Sequence, residues 1–246
     1  MKNFDIVIPV GPNEVDIVYA VVAFAKVNIK GYRNIYLISC KDDLRVLDCI
    51  TISENIFPFT PVSIQKTIGE SSRTNWIYQQ LLKLYAVNII PECLEDILIL
   101  DADVLILREL NFFENDKPIF TAGYELTQEY HTHSQKLHPS INRVIQQYSG
   151  VSHHMVFNRN YLLELFRLVE EYHKKEFLTV FLEALDRSNK NDIRCSEYEI
   201  YFNFMCRYHA EDMYIRELQW SNQKHLISNS KEKYHYVSIP KYEGTR

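Results

Sequence analysis

The chain of 246 residues has few of the residues that break, bend or tie a backbone: six glycines, eight prolines and five cysteines. No stretch is compositionally biased, so a long flexible linker or a disordered tail is not expected. The cysteines (Cys40, Cys49, Cys93, Cys195, Cys206) are odd in number, and none stands in a CxxC pair. That spacing argues against a disulfide framework and against a structural zinc site. Buried free thiols in a reducing compartment, the cytoplasm, are the simpler account. No run approaches the roughly 18 apolar residues of a membrane helix. The opening run to Val10 is too short for the core of an export signal, and Asp5 interrupts it. Positive charge is also in deficit, with 27 Lys and Arg against 32 Asp and Glu, a formal net charge of -5. Broad electrostatic binding of nucleic acid is therefore not expected.

What remains is an ordinary globular composition, 46% hydrophobic and 24% charged, in a chain sized for a single domain. Phe4 to Val10 reads as a buried strand that stops at a Pro9-Val10-Gly11-Pro12 loop signature. Val15 to Val27 carries apolar residues at helical spacing, and Asn34 to Ser39 is a second apolar strand. This βαβ unit predicts a parallel, right-handed connection. Pro58 and Pro61 read as turns, Thr74 to Val87 as a helix, and Ile97 to Leu100 as a third strand that Val104 to Leu107 could continue. Short strands follow at Ile119 to Ala122 and Met155 to Asn158, helices at Tyr161 to Tyr172, Glu176 to Leu185 and Glu197 to Tyr208, and a late strand at Tyr234 to Ile239. The fold class is α/β, a central mostly parallel sheet flanked by helices. Ligands of such sheets bind beyond the carboxyl ends of the strands, where Pro9, Val10, Ser39 and Asp101 fall.

The strongest chemical signal is Asp101-Ala102-Asp103 between the apolar runs Ile97–Leu100 and Val104–Leu107. Burying an unpaired carboxylate costs several kcal/mol, and a hard divalent cation, Mn²⁺ or Mg²⁺, removes that cost while sharing its coordination with substrate phosphates. The plain alternative is two aspartates in a turn between strands. Upstream, Arg73, Trp76, Gln80 and Lys83 are spaced to share one helical face. They read either as a site face, with Arg73 and Lys83 meeting phosphates or sugar hydroxyls beside an apolar Trp76 wall, or as a solvated face.

His131, His133 and His138 lie in a stretch without clear periodicity, read as a loop whose histidines bond acceptor hydroxyls or sit on the surface. His153 and His154 precede Met155-Val156-Phe157, and alternation sends their side chains opposite ways, so one of the two is expected at substrate. Neither HExxH nor paired-cysteine spacing supports zinc. Ser196 reads as a helix N-cap and Glu199 as the partner that completes a capping box. Glu197 has no such explanation. It shares a face with Tyr201, Phe204 and Tyr208, where desolvation raises a carboxylate's pKa toward that of a general base. Its alternative role is to favour the helix dipole.

The Phe4–Val10 strand, the Arg73–Val87 helix and the Leu98–Val104 segment with its Asp-Ala-Asp resemble the GT-A fold glycosyltransferases of the DxD type, and within them a microbial and viral branch. Four features carry the likeness: Arg73-x-x-Trp76-x-x-Gln79-Gln80-x-x-Lys83, Asp101-Ala102-Asp103, Gly150-x-Ser152-His153-His154-Met155 and Ser196-Glu197-Tyr198. The resemblance implies a nucleotide-diphosphate sugar as donor, a uridine diphosphate sugar foremost, and a glycan or other hydroxyl as acceptor. It implies a nucleotide-binding half over about residues 1–107 and an acceptor-binding half over about 108–246. Pro9, Val10, Asp101 and Ala102 would lie near the base and ribose, Asp101 and Asp103 on the metal with Asp103 the surer ligand, and one of His153 and His154 beside the donor sugar. Glu197 would be the base of an inverting reaction. A late histidine would complete the metal site, with His235 the choice and His225 the other candidate. Two further readings stand beside this one. A metal-dependent nucleotidyltransferase would want a glycine-rich phosphate loop, and Gly11 is the lone glycine near the first strand. A non-catalytic nucleotide-sugar or glycan-binding module would not need Asp101, Asp103 and Glu197 together.

Overall fold

A computed structural model describes residues 2–240. Strands are β1 (Phe4–Val10), β2 (Tyr32–Ser39), β3 (Ile50–Ser53), β4 (Asp96–Leu100), β5 (Val104–Ile106), β6 (Phe113–Glu114), β7 (Lys117–Thr121), β8 (His154–Asn158), β9 (Tyr214–Arg216), β10 (Trp220–Asn222) and β11 (Tyr236–Ser238). Helices are α1 (Val18–Asn28), α2 (Pro61–Ile68), α3 (Thr74–Ile89), α4 (Gln128–Leu137), α5 (Arg159–His173), α6 (Phe177–Glu183), α7 (Glu197–Tyr208) and α8 (Ser230–Lys233).

The main sheet has the order β3-β2-β1-β4-β8. Its first four strands run parallel, while β8 runs antiparallel to β4. Strand β1 is buried along its whole length, as a strand covered on both faces must be, which is why Phe-Asp-Ile-Val-Ile-Pro-Val shows no polar alternation. Asp5, its one charge, is fully buried at the amino edge. Arg33 binds it at 2.7 Å, and the backbone N–H groups of Asn34 and Leu94 donate to it. At the opposite edge the register aligns Val10 with Ser39 and Ser39 with Ser53, while Leu100 faces His154. The carboxyl ends of β1, β2, β3 and β4 thus share one edge with the start of β8.

Residues 104–107 do not extend β4. The chain turns at Asp101-Ala102-Asp103, and β5 joins a second sheet, β10-β11-β5, pairing antiparallel with β11 so that Val104 faces Ser238. A third sheet orders β6-β7-β9. The 128–137 stretch read as a loop is helix α4. Its buried face is His133, Ser134 and Leu137, and two of those three are polar, so a hydrophobic period could not reveal it. Pro61, read as a turn, is the first residue of α2. Thr60 and Ser63 cap it reciprocally, and proline fits the first helical position because it gives up an N–H that has no partner there. The thiols follow the expectation in part: Cys93, Cys195 and Cys206 are buried, Cys49 is half-buried and Cys40 is exposed, all free. No helix among the described residues is long and apolar enough to cross a membrane.

Candidate metal centre and its surroundings

The site is built where β4 gives out. The Asp101 N–H donates to the carbonyl of His153 at 3.0 Å, so the residue before β8 is tied to the residue after β4. The Asp101 carboxylate then collects three partners. Lys83 Nζ lies 2.6 Å from Oδ1, the Tyr198 hydroxyl donates to Oδ1 at 2.8 Å, and His153 Nδ1 is 3.1 Å from Oδ2. Asp103 faces the other way, toward the end of β11. Its Oδ2 accepts from Ser238 Oγ at 3.1 Å, and its carbonyl accepts from the Ile239 N–H at 2.8 Å. Asp101, Asp103 and His153 each present a ligand atom, and these atoms lie within 4.8 Å of one another.

Helices α3 and α7 close the site from behind. Lys83 is buried on α3 and its ammonium also meets Glu197 Oε1 at 2.7 Å, so one cation bridges two carboxylates. Gln80, one turn earlier, accepts from the Glu197 N–H at 3.4 Å. Ser196 caps α7 as expected, accepting from the Glu199 N–H. The capping box does not close, because the Glu199 side chain turns outward and accepts from the Gly150 N–H at 2.8 Å. Position 150 admits only glycine: a Cβ there would lie 2.3 Å from the Tyr198 carbonyl oxygen. The first turn of α7 therefore grips the loop that delivers His153. His153 itself takes a left-handed backbone, φ 63°, uncommon for a residue with a side chain. The kink points its ring at Asp101 and packs it edge-on against Trp220, with ring centroids 4.8 Å apart.

Electrostatics separate the two aspartates. Burial alone would raise the Asp101 carboxyl, but Lys83 and His153 outweigh it and hold Asp101 well below the usual carboxylate range. Asp103 is raised, first by burial and then by the charge of Asp101. Burial acts to lower Lys83, yet Asp101 and Glu197 keep it firmly charged. His153 is raised, because Asp101 overcomes the effect of burial. Glu197, 1% exposed, is raised by burial, and Lys83 offsets this only partly. Asp101, Asp103 and Glu197 thus gather around the Lys83 ammonium and the His153 imidazole, whose pKa is raised. Two carboxylates and one imidazole form a group that could hold a metal ion.

The other sequence-derived candidates fall in several places. Pro9, Val10 and Ala102 are buried backbone positions at the carboxyl edge. Arg73 and Trp76 stack, the guanidinium 4.0 Å from the indole centroid, and Trp76 in turn lies along Tyr130. Gln80 and Lys83 are not on a solvated face. They are covered by α7, and carboxylates occupy the Lys83 ammonium. The neighbouring histidines point apart, His153 turned by its left-handed backbone rather than by strand alternation. His154 is buried behind the sheet, with Nε2 3.0 Å from Thr121 Oγ1 and its ring edge-on to Phe112 and Tyr236.

His235 is not among the three clustered ligands. Its Nδ1 accepts from the Gln219 N–H, because β11 turns residue 235 toward a separate cavity of about 850 Å³. His225 is exposed in the loop before α8. His131 and His138 make local bonds, to the Arg143 N–H and to Ser140, while His133 is buried against the Phe181 carbonyl. Tyr198 and Glu199 were passed over as site residues. Tyr198 is signalled only by its place in Ser196-Glu197-Tyr198, and the apparent capping box concealed what Glu199 does.

Comparison with known proteins agrees with the fold. The mouse xyloside xylosyltransferase 1 apo structure is 14% identical, with a TM-score of 0.47 over 96% of this chain and 97% of that one. The galactosyltransferase LgtC bound to donor and acceptor sugar analogues is 11% identical, with a TM-score of 0.49 over 98% and 87%. An LgtC active-site mutant is also 11% identical, with a TM-score of 0.50 over 98% and 88%. At 11% identity the LgtC mutant, the one of these three with a TM-score of 0.50, shows a shared GT-A-like fold and nothing of activity. No curated protein matches the sequence. Residues 6–243 match the family described as "Family of unknown function (DUF6492)", and the chain belongs to that family.

Proposed function

We propose that the chain is a metal-dependent glycosyltransferase that moves a sugar from a nucleotide-diphosphate donor, a uridine diphosphate sugar foremost, to a hydroxyl of a glycan or other acceptor. The observation that carries this reading is the Asp101–Asp103–His153 group at the carboxyl edge of a GT-A sheet. Asp103 and His153 have capacity for a metal. Asp101, already bonded to Lys83 and Tyr198, orients the pair. When bound, Mn²⁺ or Mg²⁺ would neutralise the charge that develops on a departing diphosphate. The edge at Pro9 and Val10 would receive base and ribose, residues 1–107 serving the donor and 108–246 the acceptor.

Glu197 is better suited to holding Lys83 than to meeting an acceptor, since it is buried beneath that ammonium. A second reading keeps it as the base of an inverting reaction, on the ground that Oε2 has no hydrogen-bond partner and its pKa is raised. Glu197→Gln separates these roles: a base shows a slowed transfer step with donor affinity unchanged, and a holder shows weakened metal and donor binding.

The direct test is incubation with Mn²⁺ and a panel of nucleotide sugars, following release of nucleoside diphosphate. Metal-dependent release that disappears in Asp103→Ala supports the proposal. Binding without turnover, even with acceptors supplied, would make the chain a binding module. Neither binding nor release would remove the proposal altogether.

A further inference from the structure

The cavity of about 850 Å³ beside the metal centre is lined by Tyr124, Glu217, Trp220, Tyr234, Glu232 and Lys233 among others, a size ordinary for a small-molecule site. Trp220 is its common wall with the metal centre. The indole meets His153 in a T-shaped contact, and it stacks on Tyr236 with centroids 5.5 Å apart and planes within 7°. The far wall is preassembled. Tyr124 donates to Glu217 Oε2 at 2.6 Å, Tyr148 donates to Oε1, and the two phenol rings meet edge to face at 5.9 Å. These two bonds hold the Glu217 carboxyl below its usual range, so it is ionised at neutral pH. Each of its oxygens still has a lone pair to offer. Tyr124 is about half exposed although it is a large ring, and nothing in the fold requires that.

We propose that this cavity binds a neutral saccharide, with Glu217 accepting from a vicinal pair of sugar hydroxyls and Tyr124 and Trp220 supplying apolar ring surfaces. The assignment rests on charge and shape. Within the lining, the fixed Glu217 carboxylate and Glu232 face one lysine, Lys233, with Arg108 behind at the Glu232 carbonyl, and a fixed carboxylate at the wall opposes a diphosphate or another polyanion. Flat aromatic surface beside a hydrogen-bond acceptor matches the C–H face and hydroxyl rim of a pyranose. Seen with the transferase reading, on which this step rests, the saccharide is the acceptor, and Trp220 sets its distance from the transferred sugar.

Binding is read by saturation-transfer NMR and calorimetry with lactose, cellotriose, maltotriose and chitotriose, in EDTA so that the metal centre plays no part, and in parallel with uridine diphosphate. The wild type should bind at least one of the four saccharides. Glu217→Ala, which removes a charged acceptor, should weaken that binding by tenfold or more (~10–100-fold). Tyr124→Ala should weaken it less, with the thermal unfolding midpoint of both variants confirming the fold. Failure of the wild type to bind any of the four, saccharide binding indifferent to both variants, or uridine diphosphate binding that Tyr124→Ala removes would each overturn the proposal. Wild-type donor cleavage, measured separately with Mn²⁺, reports on the transferase reading alone. Saccharide binding without donor cleavage leaves the cavity assigned and the transferase reading refuted.

Discussion

The two sides of the acidic pair differ in how completely the protein satisfies them. On the α3 and α7 side, Asp101 has an ammonium, a phenol and an imidazole, and its charge is stabilised well beyond that of a free carboxylate. On the β11 side, Asp103 has one serine hydroxyl, and burial together with its neighbour's charge pushes its pKa up. A structural aspartate in a turn has no need of this asymmetry. It is expected of a pair in which one member is fixed by protein and the other is kept for a cation.

The comparison is broken most severely at Asp103. Asp103→Asn keeps size and the Ser238 contact but removes the charge, and should lower metal-dependent donor cleavage by a factor on the order of a thousand, the several kcal/mol a Lewis acid supplies. Steady-state release of nucleoside diphosphate measures it. The protein-satisfied side is tested by Lys83→Met, which strands two buried carboxylates and should cost about 3–5 kcal/mol in urea unfolding. Adding Glu197→Gln to Lys83→Met should recover part of that loss, whereas simple additivity would mean that the bridge in the structure carries no coupling.

The third prediction concerns protons. His153 and Asp103 both have raised pKa values, and both must be deprotonated to ligate, so Mn²⁺ affinity should climb as pH rises. Affinity flat with pH, measured by calorimetry, would detach His153 from the site. Away from the site, burial holds His133 down at about 4, against 6.5 when unfolded. The unfolded chain therefore binds the extra proton between those values. Stability should be full above pH 6.5 and fall as pH drops toward 4, by roughly 3 kcal/mol, with His133→Gln flattening the slope.

Sequence patterns exposed β1, β2, β4 and the acidic pair because these depend on local signals, runs of β-branched residues and charge placed at the end of one, whereas the parallel edge strand β3, four residues long, goes unread. Strands β9 and β10 escaped because they are three residues each, too short for any period to register, and although the segments of β5 and β11 read as strands, their pairing in a second sheet is set by tertiary contact. The identity of the third clustered ligand was hidden for a related reason. His153 reaches Asp101 through a left-handed backbone and a loop clamped by Glu199, neither of which has a sequence period. Lys83 was ambiguous because a lysine at helical spacing reads alike whether it faces water or two carboxylates.

The central claim, that Asp103 keeps its charge for a cation, is tested most directly by anomalous diffraction from crystals soaked in Mn²⁺ with uridine diphosphate. The account predicts an anomalous peak at roughly 2.0–2.2 Å from an Asp103 carboxylate oxygen, the length of a hard-cation bond, and loss of that peak in Asp103→Asn. A peak held elsewhere, or none at saturating Mn²⁺ and nucleotide, would contradict it.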